Sequence, residues 1–208
     1  MNKKIIDVYT VCWNEEIRLP YFLRLWSPIA RKITIFDNGS SDNSESIAKS
    51  FPNVIWNTTD FRRSKEHHEP YLTDIKNNGW KKSRDADLVF MGDVDEILFY
   101  NHQELSDLFS KLDEGFTIFH PYGYGMVSSS IPTHNDQIYS DHDFQFGVKD
   151  DRYSKMCLFS PKHIQEINYD HGCHECNPKG MVNIFRSRKF KLLHYHYLGY
   201  EFFDQRMN

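Results

Sequence analysis

The chain is poor in the features that mark special classes of protein. Its four cysteines, Cys12, Cys157, Cys173 and Cys176, are too few and too scattered over 208 residues for a disulfide scaffold. No apolar run approaches the length of a membrane span. The opening MNKKIIDVYTVCW carries two lysines and a short apolar run broken by Asp7. It is too short and too polar for a signal peptide, so the expected location is the cytoplasm, with reduced thiols. There is no excess of basic residues: the formal net charge is −4. That argues against a nucleic acid partner, and any phosphate ligand needs local help from a metal or a few Arg and Lys. Internal repeats, low-complexity tracts and linkers are absent as well.

What remains is the composition of an ordinary globular domain, 39% apolar and 26% charged, long enough for one real core. Aromatic residues are abundant at 15%. Most belong to the core on general grounds, though aromatic clefts also suit sugars and other rings.

Through residue 92 strands alternate with helices. Ile5 to Val11 is an expected buried strand. Asn14 is an expected N-cap, and apolar positions from Ile17 to Ile29 predict a helix with Pro20 near its start. Ile33 to Phe36 is a second strand, closed by the turn-rich Asp37-Asn38-Gly39-Ser40-Ser41-Asp42. Asp42 or Asn43 then caps a helix to Lys49. Val54 to Trp56, a helix over 70–84 and Leu88 to Met91 complete the pattern. Alternation of this kind implies βαβ units and a parallel sheet, with ligands beyond the carboxyl ends of its strands. After residue 100 the pattern changes. A helix is expected over Gln103–Leu112 and strands near Phe116–Pro121, Met156–Phe159, Ile164–Tyr169 and Phe190–His196. Residues 122–150 are expected to form loops over the site.

The stretch LVFMGDVDEIL, Leu88 to Leu98, places Asp93, Asp95 and Glu96 where an apolar strand ends. Carboxylates beside a buried run are costly unless their charge is compensated. Hard carboxylate oxygens suit Mg²⁺ or Mn²⁺, which also bind phosphates; the plainer reading is a solvated turn. In Leu192-Leu193-His194-Tyr195-His196-Tyr197, His194 and His196 share one face of a strand and offer an imidazole pair. In His171-Gly172-Cys173-His174-Glu175-Cys176, the Cys-x-x-Cys invites zinc, but the distant second ligand pair of a structural site is missing. An active-site loop in which His174, Glu175 or Asp170 handles a proton is the alternative.

Together TVCWNEEIRLPYFLRLW, ITIFDNGSSDNSESIAKS, DADLVFMGDVDEIL and LLHYHYLGYEFF follow one another as they do in nucleotide-sugar glycosyltransferases of the GT-A fold, family-2-like branch. The chain resembles that family well over residues 5–100, fairly in the 190s and poorly between. The resemblance implies a Rossmann-like α/β fold with a central, mostly parallel mixed sheet flanked by helices. It implies one GT-A domain over 1–208, with a nucleotide-sugar half (1–100) and an acceptor and lid half (101–208). Since GYEFFDQRMN stops inside an apparent helix, the chain is expected to be the first domain of a longer protein.

The family's roles transfer as follows. Thr10 and Cys12 line the nucleotide pocket. Asp37 contacts uracil or ribose, and Lys76 and Asn77 occupy the place of a frequent Arg-Asn pair. Arg62, beside Arg63 and Lys65, offers a basic group to the nucleotide. Asp93 touches the ribose or the metal shell, Asp95 ligates Mn²⁺ or Mg²⁺, and His194, with His196 as competitor, completes the shell. The donor implied is a UDP-sugar and the acceptor a glycan or glycoprotein. Similarity to virus-encoded members points to a capsid glycoprotein and the host cytoplasm. A clean catalytic acid motif is missing. Glu175, Asp151 and His174 are the candidate bases for an inverting displacement, with Asp150 and Asp170 behind them. The competing classes are a metal-dependent nucleotidyltransferase or phosphohydrolase, and a zinc-stabilised binding module.

Overall fold

The computed structural model describes residues 4–59, 68–199 and 202. In chain order the strands are β1 (Ile6–Cys12), β2 (Lys32–Asp37), β3 (Val54–Thr58), β4 (Leu88–Asp93), β5 (Glu96–Phe99), β6 (Ile118–Phe119), β7 (Tyr122–Ser128), β8 (Gly147–Lys149), β9 (Leu158–Phe159), β10 (Ile164–Glu166), β11 (Lys179–Gly180), β12 (Ile184–Phe185) and β13 (Lys191–Leu198). The helices are α1 (Leu19–Trp26), α2 (Ser44–Lys49), α3 (His68–Asn78) and α4 (His102–Asp113).

A seven-stranded sheet runs in the order β12-β6-β9-β4-β1-β2-β3. Strand β9 lies antiparallel to both neighbours, and the remaining pairings are parallel. The parallel pairings are those the alternation predicts, and the whole is the mixed, mostly parallel α/β sheet that the resemblance implies. Strand order reverses between β1 and β4: β2 and β3 extend one way from β1, and β4 lies parallel on its other side. Ligand crevices form at such switch points, beyond the carboxyl ends. Here Val11 pairs with Asp93, so the acidic cluster opens at that crevice.

A second, four-stranded sheet has the order β5-β13-β7-β8. Strand β5 leaves the acidic turn and pairs antiparallel with β13, His194 opposite Glu96. That single pairing brings residues a hundred positions apart in sequence to one place.

Several expectations change. Asn14 does not cap α1. It takes a left-handed conformation (φ 51°), and its side-chain oxygen accepts from Ser41 N–H at 2.8 Å. It therefore ties the loop after β1 to the loop after β2, and Arg18 stands at the N-cap, its side chain making no capping bond. The helix predicted over 70–84 is α3 followed by a 3-10 turn, Gly79–Ser83. The expected loops of 122–150 include two strands, β7 and β8. Strand β7 reads Tyr-Gly-Tyr-Gly-Met-Val-Ser, and its glycines suggest a breaker. Gly123 is instead required by packing: a Cβ there would lie 2.1 Å from the carbonyl carbon of Tyr153. The missing side chain lets the 3-10 turn Asp151–Tyr153 lie flat on the strand. Helix α4 carries a full capping box, Asn101 with Glu104.

Candidate metal and donor site

The end of β4 and the turn into β5 hold three carboxylates in two separate charge networks. Asp93 belongs to the first. Its carboxylate meets Lys76 Nζ at 2.6 Å and Lys155 Nζ at 3.8 Å. Lys155 also pairs with Glu96 at 2.6 Å, and Glu96, almost wholly buried, accepts the main-chain N–H of Asp93 at 3.0 Å. Glu96 thus supports the turn from below. Burial raises Asp93's pKa, but the two ammonium groups outweigh it and hold the carboxyl below its ordinary range. Burial likewise pulls Lys155 down, and Glu96 and Asp93 reverse the sign, leaving it a fixed cation.

Asp95 belongs to the second network. Its Oδ2 lies 3.3 Å from His194 Nε2, 3.7 Å from His196 Nδ1 and 3.0 Å from Arg18 Nη1. Arg18 is buried, grips Glu15 through two nitrogens at 2.6 and 2.7 Å, and donates to the carbonyl of Tyr195 at 3.2 Å. Tyr195 N–H in turn donates to the Asp95 carbonyl at 2.8 Å. The backbone of β13 therefore anchors both the arginine and the aspartate. Beyond His194 the register of β13 on β7 shifts, with His194 opposite Gly125 and Tyr197 opposite Val127. Such an irregularity re-aims side chains, and here the two imidazoles stand side by side, 5.7 Å apart. Asp95 lies well below the ordinary carboxyl range: burial opposes its ionisation, and His194 and Arg18 overcome that. His194 is raised, Asp95 prevailing over burial.

Among the described residues, Asp95, His194 and His196 alone form a three-residue group with mutually close ligand atoms. The fit to a divalent ion is good. Ions of the Mg²⁺ type bond oxygen at about 2.0–2.1 Å, which sets neighbouring ligand atoms roughly 3 Å apart, close to the spacings seen. His194 presents Nε2 to Asp95, and its Nδ1 is buried without a hydrogen-bond partner. Asp93, expected to share the metal, is outside this group and occupied by lysine. Cys173 and Cys176 are outside it too. Burial pushes both thiols up to about 11.

The other predicted residues are distributed around this centre. Thr10 is fully buried and bonds the Val11 carbonyl at 3.3 Å. Cys12 is buried 4.0 Å from Ser40, its thiol pushed up to about 12 by burial. Asp37 closes the loop after β2 by accepting from Gly39 and Ser40 N–H, at 3.2 and 3.0 Å. Asn77 spends both ends of its amide on the backbone of Tyr169, at 2.7 and 3.2 Å, tying α3 to the 168–177 loop. Arg62 and Arg63 lie outside the described residues.

The candidate bases gather on two touching segments. Asp151 opens the turn whose Tyr153 ring packs 4.3 Å from the ring of His194, but its carboxylate is exposed and 3.0 Å from Lys149. His174 Nδ1 lies 2.7 Å from the carbonyl of Arg152 in the same turn. A carbonyl only accepts, so Nδ1 carries the hydrogen and Nε2 of the neutral ring is left as a proton acceptor. Glu175 follows on the exposed loop, its N–H donating to Asp170 at 3.0 Å.

Two site residues escaped sequence reasoning. Arg18 sits in an unremarkable amphipathic helix, and Lys155 in Tyr-Ser-Lys-Met before β9; neither has a local motif, and only burial beside carboxylates marks them. A cavity of about 780 Å³ lies at the opposite end of the sheet between Ile6, Pro28, Asp87 and α4. It gathers no comparable set of ligand atoms among the described residues.

No protein-family model and no curated protein sequence matches the chain. Solved structures do. Glucosyl-3-phosphoglycerate synthase from Mycobacterium tuberculosis, in complex with Mn²⁺, UDP and glucosyl-3-phosphoglycerate, is similar at 19% identity and a TM-score of 0.38, over 58% of this chain and 44% of that one. The same enzyme with phosphoglyceric acid gives 19% and 0.40 over the same shares. A further mycobacterial protein gives 16% and 0.40, over 59% of this chain and 41% of that one. The aligned part thus spans less than half the length of each of those chains. No helix among the described residues is long and apolar enough to cross a membrane.

Proposed function

We propose that this chain is a metal-dependent glycosyltransferase domain of the GT-A kind, taking a nucleoside-diphosphate sugar, with UDP as the nucleotide. The observation that carries the proposal is the convergence of Asp95, His194 and His196 at the carboxyl-end switch point, three neighbouring ligand atoms backed by buried Arg18. A bound Mn²⁺ or Mg²⁺ supplies positive charge to the diphosphate and makes it a better leaving group. Asp95 and the histidine pair hold that ion. Arg18 keeps Asp95 ionised and oriented. Asp93, paired with Lys76 and Lys155, is an acceptor for donor hydroxyls, in keeping with the ribose contact the sequence resemblance implies. Asp37 and the loop after β1 stand beside the same crevice.

The acceptor is a glycan or glycoprotein. Its deprotonation falls to His174, Asp151 or Glu175, and direct displacement then inverts the anomeric centre. Support for His174 is its oriented Nε2. A capsid glycoprotein acceptor and a viral source rest on sequence resemblance alone. One similar solved structure holds Mn²⁺ and UDP-glucose, which makes that pair the first probe.

The test is thermal stability with and without UDP-glucose plus Mn²⁺. The expected result is a higher Tm that needs both components and vanishes in Asp95→Ala. A Tm rise of equal size in Asp95→Ala ends the proposal. So does pyrophosphate release from a nucleoside triphosphate, which marks a nucleotidyltransferase.

A further inference from the structure

The four-stranded sheet carries a second cavity, of about 380 Å³, that the proposed transfer site does not use. Residues alternate faces along a strand. Leu193 lines this cavity, while its neighbour His194 turns to the other side to meet Asp95. The two sites thus share β13 and lie back to back.

The walls are aromatic. The rings of Phe99 and Tyr139 meet edge to face with centroids 5.0 Å apart. Tyr124 stands across from them on β7. Lys191 Nζ lies over two of these rings, 5.4 Å from the centroid of Phe99 and 5.9 Å from that of Tyr124. Among the described residues no carboxylate comes within ion-pair distance of this ammonium. At the rim Gln145 donates to the Tyr139 carbonyl at 3.1 Å and keeps its amide oxygen as an acceptor.

These groups define a ligand. Ring faces carry partial negative charge and favour the C–H-bearing face of a ring over its polar edge. A cation held above ring faces attracts an anion that lies against the same surface. Ligand cavities of about 300–1,000 Å³ accept compact molecules, and this one, at about 380 Å³, stands near the lower end of that range. We infer that the cavity formed by Phe99, Tyr124, Tyr139, Gln145 and Lys191 binds an acidic pyranose, a sugar ring carrying a carboxylate, as a glycan-holding site separate from the transfer centre. The choice of a saccharide rests on the glycosyl-transfer reading; the cavity and its unmatched cation do not.

The experiment uses two probes, methyl β-D-glucuronide and methyl β-D-glucoside, which differ in the carboxylate. Saturation-transfer NMR on the intact protein is expected to show the glucuronide binding near 1 mM, and the glucoside at least tenfold more weakly. Lys191→Met abolishes that preference and Tyr124→Ala abolishes binding of both sugars. Gln145→Ala, on an exposed side chain that threatens no fold, weakens both. The Tm response to UDP-glucose and Mn²⁺ stays at the parent value in all three variants. Equal binding of the two sugars, no saturation of either, or binding of a Pro-rich peptide in their place overturns the inference. Loss of the UDP and Mn²⁺ response in the parent overturns the transfer proposal instead, so the two failures are distinguishable.

Discussion

Lys155→Met is the sharpest perturbation of the charge network beneath the site. Lys155 is buried, 2.6 Å from Glu96 and 3.8 Å from Asp93. Methionine keeps the length and much of the apolar stem but removes the cation. Asp93 retains Lys76 at 2.6 Å. Glu96, only 1% exposed, keeps no cationic partner among the described residues. Breaking a buried pair by removing one member costs about 3–5 kcal/mol, because the remaining charge stays desolvated. With a urea m-value of roughly 2–3 kcal/mol/M, that is a midpoint shift of about 1–2.5 M. Part of the loss is recovered in Lys155→Met/Glu96→Gln, since removing both charges restores neutrality while the amide oxygen still accepts from the Asp93 N–H, and the double-mutant cycle reads the coupling. The assay is urea unfolding at neutral pH. A midpoint change below about 0.3 M in the single variant, or a double variant less stable than the single, refutes the reasoning.

Two further outcomes follow from the same geometry. Gly123→Ala puts a methyl 2.1 Å from the Tyr153 carbonyl carbon, so the Asp151–Tyr153 turn must lift; the expected cost is about 1–3 kcal/mol, read as a Tm fall of several degrees, and an unchanged Tm contradicts the packing. Asp93 has a folded pKa below its ordinary value, so its contribution is present above about pH 4 and is lost as pH falls through the folded value; Asp93→Asn is therefore expected to flatten the decline of the urea midpoint between pH 6 and pH 3, and an unaltered decline removes the assignment.

Much of the first half was legible from local pattern. Apolar strands bounded by turn residues, with helices between them, mark a parallel α/β sheet because strand and helix periods and turn chemistry are local properties. The carboxylates of Asp93 and Asp95 at the end of an apolar strand signal a site for the same reason: charge beside a buried run demands compensation. The i, i+2 spacing of His194 and His196 also points to one shared face without any fold.

Other features depend on distance in space. The strand β7 was hidden because glycine reads as a breaker, and only the Tyr153 backbone pressed against Gly123 explains why glycine stands there. Arg18 and Lys155 carry no motif; their importance comes from burial next to carboxylates contributed by another segment. The division of labour between Asp93 and Asp95 is likewise tertiary. Two residues apart in sequence, they face different cations, lysines for Asp93 and histidines with arginine for Asp95. Sequence by itself determined that carboxylates and imidazoles were available at strand ends, because composition and period decide which groups a strand presents. Only the pairing of β5 with β13 decided which carboxylate met the imidazoles, because a hydrogen-bonded register sets distances that no local pattern contains.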